Sequence, residues 1–307
     1  MIRKRVKMIN NIIIKSRVDD LDLNVNYIMP NTSIRGLAII VHGMTEHKER
    51  YNYFLEQLAL NGYVSVAYDQ RGHGKSIRSN NDLGYFYTED ETAFREDLHT
   101  IIEFFKYRYQ TQNTIIFAHS MGTLVTRSFI EKYDNMVNKV ILCGPPTKNS
   151  LVDLGLLIAK ISKSFDKGRK PNKLLNELTL GKFNKGYDKP NSWLSKNPNN
   201  VDNYNNDPVC DYIFTTNGFI NLYKLQKSAF QSKDYAVNNK NLAILLLAGS
   251  DDPVIGNLKK FKNLERFMRK LGYLNVTSKV YDSLRHELLQ EEEKDIIIKD
   301  IISFINN

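Results

Sequence analysis

The sequence holds only two cysteines, Cys143 and Cys210. Two thiols cannot build a disulfide framework, so a chain that folds in a reducing compartment is expected. No apolar run approaches the roughly 20 residues that cross a bilayer. The opening from Met1 to Lys15 is basic and then briefly apolar at Ile12, Ile13 and Ile14, with Asn10 and Asn11 interrupting it. A secretory core needs about 7–15 apolar residues. A soluble cytoplasmic protein is therefore expected. The paired Cys-x-x-Cys and His-Glu-x-x-His spacings of metal centres are absent. So are internal repeats and heptads.

What is present is ordinary for a globular protein. The 307 residues are 42% hydrophobic and 25% charged, within the usual range. That length allows one large domain, or a core plus an insert. The formal charge is +9. Lysine is abundant in company with asparagine and isoleucine, which reads as the bias of an AT-rich genome rather than as a binding surface. No nucleic-acid recognition motif accompanies the charge, so no nucleic-acid partner is expected.

Two kinds of segment alternate along the chain. The β-rich runs are LAIIVHG (37–43), VSVAYDQ (64–70), TIIFAHS (114–120), NKVILCG (138–144), AILLLAG (243–249) and SKVYD (278–282). Several are apolar without alternation, as strands buried on both faces are. Helical patterns lie between them, near 50–62, 92–109, 121–133, 256–272 and 291–306. In the last, Ile296, Ile297, Ile298, Ile301, Ile302 and Ile305 are read as one apolar face. Glu291 to Glu293 would load its first turn against the helix dipole. Strand–helix alternation predicts a mostly parallel sheet flanked by helices.

The alternation fails between about 148 and 238. That stretch opens on an amphipathic pattern, LVDLGLLIAKISKSF, and continues through Gly, Pro, Asn and Lys-rich text. A structureless loop of that length would be improbable. The expected organisation is an α/β core of residues 1–147 and 239–307, with 148–238 inserted as a mainly helical cap.

Ser120 falls where the strand TIIFAHS meets the helix MGTLVTRSFIEKY. A nucleophile elbow needs a sharp strand-to-helix turn with small residues two positions before and after the serine. Gly122 fits, and Ala118 is small. The helix start offers the Met121 N–H to developing negative charge. A second donor should come from the loop after an earlier strand, which makes the Met44 N–H, after His42-Gly43, the candidate. A serine needs a base and an orienting acid. His286, after the last strand, is the candidate base. Asp251 and Asp252, after the strand AILLLAG, are the candidate acids, Asp252 preferred. The chain order Ser, Asp, His is that of one known hydrolase arrangement.

Five ordered motifs then carry a resemblance: HGMTEHKERY (42–51), DQRGHGKS (69–76), HSMG (119–122), GSDDPV (249–254) and RHE (285–287). They resemble the monoacylglycerol lipase and bacterial lysophospholipase branch of the α/β-hydrolases. Trp193-Leu194-Ser195, Val201-Asp202, Tyr204 and Asp207-Pro208-Val209-Cys210 resemble the cap of the lysophospholipase-like members. The resemblance implies an α/β-hydrolase fold and a serine esterase without metal or organic cofactor, acting on a lipid ester. It places the catalytic acid at Asp252 and gives Arg71 and His73 a structural part. Glu46 and Arg50 would lend polar support as an exposed pair of little energetic weight. Ala118 departs from the glycine of the family motif.

Substrate choice would rest with the cap. Leu151, Leu154, Leu157, Ile158 and Ile161 recur at helical spacing, and packing on the core is the expected use of that face. An apolar entrance for an acyl chain is the alternative. Lys160, Lys163, Lys167, Arg169, Lys170 and Lys173 follow closely and could let the cap rest transiently on an anionic membrane surface. A solvated charged face is the expected reading of them. A single-chain lipid ester, monoacylglycerol or lysophospholipid, is the expected substrate. The alternatives are a small-ester or peptide-processing hydrolase and a non-catalytic ligand-binding relative. The sequence points to no obligate protein partner.

Overall fold

The computed structural model describes residues 8–307. The first seven residues of the basic opening lie outside the described part. Among the described residues, eight strands form one sheet: β1 (Asn10–Lys15), β2 (Asp22–Ile28), β3 (Gly36–Val41), β4 (Tyr63–Tyr68), β5 (Thr114–His119), β6 (Lys139–Cys143), β7 (Ala243–Gly249) and β8 (Asn275–Tyr281). Their order is β1-β2-β4-β3-β5-β6-β7-β8. The pairings of β2 with β1 and β4 are antiparallel, and all others are parallel.

Among the described residues, nine α-helices accompany the sheet: α1 (Asn52–Leu60), α2 (Thr92–Tyr109), α3 (Met121–Tyr133), α4 (Val152–Asp166), α5 (Lys173–Leu180), α6 (Pro198–Asn206), α7 (Thr216–Ser228), α8 (Leu258–Leu271) and α9 (Lys294–Asn306). Successive strand residues serve opposite faces. In β3, Leu37, Ile39 and Val41 join the core beneath α2, α3 and α8, while Ala38 and Ile40 join the core beneath α1 and α9. Both faces of the central strands are covered, which is why their sequences run apolar without alternation.

The observed elements add to the sequence reading in places. β1 and β2 were absent from it, and Ile12–Ile14 belong to β1 at the sheet edge. In α9, Ile297, Ile298, Ile301 and Ile305 are buried, but Ile296 is 61% exposed. Glu291 does not serve a helix dipole, because α9 begins at Lys294. It is buried instead, and accepts hydrogen bonds from the Ser195 hydroxyl at 2.7 Å and the Arg285 amide at 3.0 Å.

Between β6 and β7 the chain leaves the sheet. Residues 148–238 carry α4, α5, α6 and α7 and no strand of it. Trp193, Leu194, Tyr204 and Cys210 form a small core of their own there. Of the stripe expected to pack on the core, Ile158 does so, partly buried; the rest points the other way. Leu154, Leu157 and Ile161 are more than half exposed, while Val152 and Ala159 are the buried positions of α4. Gly155 brings α4 close to Tyr223 of α7; a Cβ there would come within 2.9 Å of that ring.

Candidate active site

β5 ends at His119 and α3 begins at Met121, so Ser120 must turn the chain alone. Its backbone sits at φ 49°, ψ −119°, outside the regions that non-glycine residues ordinarily occupy. The surroundings hold it there. The Ser120 amide donates to the Cys143 carbonyl at 2.9 Å. The Thr123 amide and hydroxyl donate to the Ser120 carbonyl at 2.9 and 2.7 Å. Gly122 is required by space: a Cβ would lie 2.3 Å from the Val41 carbonyl oxygen. Ala118, by contrast, is a fully buried strand residue opposite Val41 and Leu142, and its methyl is accommodated.

His286 lies after β8 and is 2% exposed. Its Nδ1 is 2.9 Å from Asp252 Oδ2. The other carboxylate oxygen of Asp252 accepts from the Val254 amide at 2.8 Å. Asp251 is exposed and meets only the Ser250 hydroxyl through its side chain. Of the two candidate acids, the structure therefore brings Asp252 to the imidazole. Gly144, at φ 57°, leaves room for the ring; a Cβ there would lie 2.9 Å from His286 Nδ1.

Ser120, His286, Met44 and Met121 share the wall of one cavity of about 390 Å³. The Met121 amide stands at the start of α3, where N–H groups have no intrahelical acceptor. Residues 148–238 supply the facing wall, including Val152, Leu180, Trp193, Tyr212 and Leu222. The Trp193 ring lies 5.3 Å from that of His286. The volume suits a small molecule, and the lining is divided between apolar side chains and polar or charged ones, Glu177, Lys182, Asp211 and Lys260 among them.

Beside this constellation lies a buried charge network that the sequence reading did not find. Glu46 Oε1 accepts from the Tyr51 hydroxyl at 2.9 Å, is 3.0 Å from His119 Nδ1, and also accepts from the Gly43 amide. Glu46 Oε2 accepts from Arg50 at 2.8 Å. Arg50 then forks onto both oxygens of Glu287, at 2.6 and 2.8 Å, and lies 5.0 Å over the Tyr204 ring. The Glu46–Arg50 pair was expected at the surface; the side chains are 3% and 10% exposed. Burial alone would raise the Glu46 carboxyl, but the hydrogen bond and charge of His119, with Arg50, hold it well below the usual range. Burial would likewise lower His119, yet Glu46 keeps it raised.

The remaining histidines have structural surroundings. Burial pushes His73 down to about 3, and its ring packs among Phe86, Tyr212 and Phe214. Arg71 is fully buried and grips both oxygens of Asp97 at 2.8 and 3.0 Å. His47, Asp207 and Cys210 bring three metal-binding atom types within 4.8 Å. Both His47 nitrogens are already engaged, however, with Glu49 at 2.7 Å and Asp207 at 2.9 Å. Burial pushes the Cys210 thiol up, away from the thiolate a metal needs. The group reads as a clasp between the loop after β3 and the end of α6.

Comparison with known proteins follows the same lines. The family model described as "Serine aminopeptidase, S33" matches residues 32–293. A monoacylglycerol lipase of Mycolicibacterium smegmatis is 24% identical over 90% of this chain and 90% of its own. A Haemophilus influenzae protein named "Probable lysophospholipase L2" is 24% identical over 91% of this chain and 85% of its own. The crystal structure of a thermostable carboxyl esterase from Bacillus coagulans, in complex with glycerol, superposes with a TM-score of 0.90, 23% identity and 98% coverage of both chains.

Proposed function

Since the chain belongs to the serine aminopeptidase S33 family, with the α/β-hydrolase fold, we propose that it cleaves carboxylic esters of single-chain lipids, monoacylglycerol or lysophospholipid, through an acyl-enzyme on Ser120. One observation carries the reading: His286, 2.9 Å from Asp252, opens on the same cavity as a serine held in a strained turn.

In this reading His286 takes the Ser120 proton as the hydroxyl attacks the ester carbonyl. The Met44 and Met121 amides receive the negative charge that forms on the carbonyl oxygen. His286 then hands its proton to the departing alcohol. Water, activated by the same imidazole, releases the fatty acid and restores Ser120. Asp252 keeps the tautomer that leaves the outer nitrogen free to act. Residues 148–238 act as the cap, and their apolar wall receives the acyl chain.

The lipid-ester choice is supported by the two relatives named for such lipids and by the apolar residues of the cavity. The family description names an aminopeptidase. Recognition of a free α-amine calls for an unneutralised carboxylate; Glu46 and Glu287 of the wall are committed to Arg50 and His119, whereas Glu177 and Asp211 of the same wall form no ion pair among the described residues, so aminoacyl substrates belong in the test.

The test is labelling with a fluorophosphonate probe, wild type beside Ser120→Ala, followed by turnover of lysophosphatidylcholine, monoacylglycerol, short p-nitrophenyl esters and aminoacyl naphthylamides. Labelling of the wild type alone, with lipid monoesters turned over fastest, is expected. Labelling that survives Ser120→Ala, or a preference for the naphthylamides, overturns the reading.

A further inference from the structure

The cavity wall carries charge that ester cleavage leaves unused. Glu46 and Glu287 are bound to Arg50 and His119. Five further charged side chains line the same cavity: Lys148, Lys182 and Lys260 of one sign, Glu177 and Asp211 of the other. None of the five forms an ion pair among the described residues. Lys189 and Asp202, outside the cavity in the same stretch of chain, are paired with each other.

Contacts place Lys182 and Asp211 on the side of the cavity where an alcohol would leave. The Trp193 ring lies 5.3 Å from that of His286, and the Phe183 ring 5.1 Å from Trp193. Lys182 Nζ stands 5.3 Å over Phe183. The side chain of the next residue, Asn184, accepts from the Asn191 amide at 2.8 Å, and the Asn191 side chain hydrogen-bonds the Asp211 carboxylate. The Asp211 amide in turn donates to the Thr45 carbonyl at 3.3 Å, one residue from Met44. A single run of contacts thus joins the candidate base to the candidate oxyanion loop. Glu177 is differently disposed, for its carboxylate lies back against Gly181. The apolar residues Leu124, Val152 and Leu222 remain for the acyl chain.

The chemistry of this run suits a group that carries both signs. Burial raises the Asp211 carboxyl above its ordinary value, and only the Asn191 hydrogen bond opposes that. A cation beside it would offset the burial. A lysine ammonium is a point charge of the kind that meets phosphate oxygens. The ring faces of Phe183 and Trp193 attract ammonium groups. An uncharged glycerol would leave Lys182 and Asp211 both unmatched.

We infer that Lys182 and Asp211 form a headgroup subsite, which selects a lysophospholipid whose phosphate bears an ammonium group over an uncharged monoacylglycerol. Lys182 meets the phosphate, and Asp211 meets the ammonium. The subsite rests on the ester reading above, since it holds what the departing alcohol carries past His286.

The experiment compares three esters of one acyl chain: monoacylglycerol, lysophosphatidylglycerol, which adds a phosphate, and lysophosphatidylethanolamine, which adds phosphate and amine. In wild type, kcat/KM on the ethanolamine lipid is expected to exceed that on monoacylglycerol by about tenfold or more, as two charge-assisted contacts give. Lys182→Gln should lower both phosphate lipids relative to monoacylglycerol, by about three- to tenfold. Asp211→Asn should lower the ethanolamine lipid relative to the glycerol one by a similar factor. Both side chains are exposed, so both variants should keep the wild-type melting temperature. Glycerophosphoethanolamine should inhibit turnover of a short p-nitrophenyl ester at about tenfold lower concentration than glycerol, and lose that advantage in either variant. A wild type that hydrolyses monoacylglycerol as fast as the ethanolamine lipid overturns the inference and leaves the ester reading standing. So do variants whose substrate ratios stay where they were. If none of the three lipids is hydrolysed, the ester reading falls, and the subsite falls with it.

Discussion

His119 and Glu46 form a buried pair, Nδ1 to Oε1 at 3.0 Å, and the far nitrogen of the same imidazole lies 3.3 Å from the carbonyl oxygen of His286. Glu46 passes the connection to Arg50, and Arg50 to Glu287, the residue after His286. The result is a closed ring through His119, Glu46, Arg50, Glu287 and His286. Glu46 also holds the Gly43 amide, next to Met44. One set of charges thus spans the candidate base, the neighbour of the candidate nucleophile and the loop of a candidate oxyanion donor. Removing one member leaves the others buried and unpaired, which costs about 3–5 kcal/mol. Glu46→Gln is expected to lower unfolding stability by that order in a urea titration. An unchanged midpoint would show that the ring has no structural weight.

The pH profile of stability follows from the same groups. His119 and His47 are both raised above their ordinary 6.5, burial opposing and their carboxylate partners prevailing. Folded, each holds its proton more tightly than unfolded. Their contribution is complete below pH about 6.5 and disappears as the pH climbs through their raised values. Glu46 lies below its ordinary 4.5, so its contribution is complete above that value and is lost on acidification. His42 and His73, lowered by burial to about 4 and about 3, add stability as the pH rises toward about 6.5, so the urea midpoint should be highest near about pH 6.5 and fall toward pH 9. His47→Gln should flatten the alkaline fall. A wild-type midpoint that rises from pH 6 to pH 9 would contradict the assignment.

How much of this was legible beforehand depended on distance along the chain. The six parallel strands from β3 to β8 announce themselves through local apolar runs or strand-rich text, and α2 and α3 through their periodicity. β1 and β2 do not, because NNIIIK and DLNVNYI mix asparagines and acids among few apolar residues, as strands near an antiparallel edge do. Ser120, Asp252 and His286 are candidates from their positions after strands, and the structure brings Asp252 and His286 into contact. The charge ring was out of reach, since Arg50 and Glu287 lie 237 residues apart. Nothing local to either says that it is buried. The leucines of α4 failed for a related reason: periodicity reveals a stripe but not which way it faces.

The two aspartates after β7 should separate cleanly. Asp252 is buried on His286, while Asp251 is exposed. Asp252→Asn should lower kcat on a short p-nitrophenyl ester by about 10³–10⁴-fold with KM little changed. Asp251→Asn should stay within about threefold of wild type, as exposed substitutions away from such features do. Equal losses in both variants would remove Asp252 from its role.

The elbow gives a second contrast. Gly122→Ala drives a methyl to 2.3 Å from a backbone oxygen of β3, and backbone there has nowhere to move. A loss of about 1–3 kcal/mol or more is expected, with activity falling as the turn distorts. Ala118→Gly, which restores the family's glycine, only loosens a strand. It should cost about 0.5–1 kcal/mol and leave turnover unaltered. Should Ala118→Gly instead raise kcat severalfold, the extra methyl is a brake on the elbow.

Arg50 tests whether the ring needs geometry or only charge. Its guanidinium meets Glu46, both oxygens of Glu287 and Asn200 at 2.6–2.9 Å, and covers the Tyr204 ring. A lysine ammonium at that position keeps the charge but loses the fork and the stacked plane. Arg50→Lys therefore leaves Glu287 and Asn200 short of donors in a buried site, an omission worth about 1–3 kcal/mol. Glu287 sits beside His286 in the chain, so slack there reaches the imidazole. The expected signature is a lower melting temperature together with a fall in kcat larger than any rise in KM. A variant that loses stability while keeping kcat would confine Arg50 to joining Asn200 of α6 to the loop after β8.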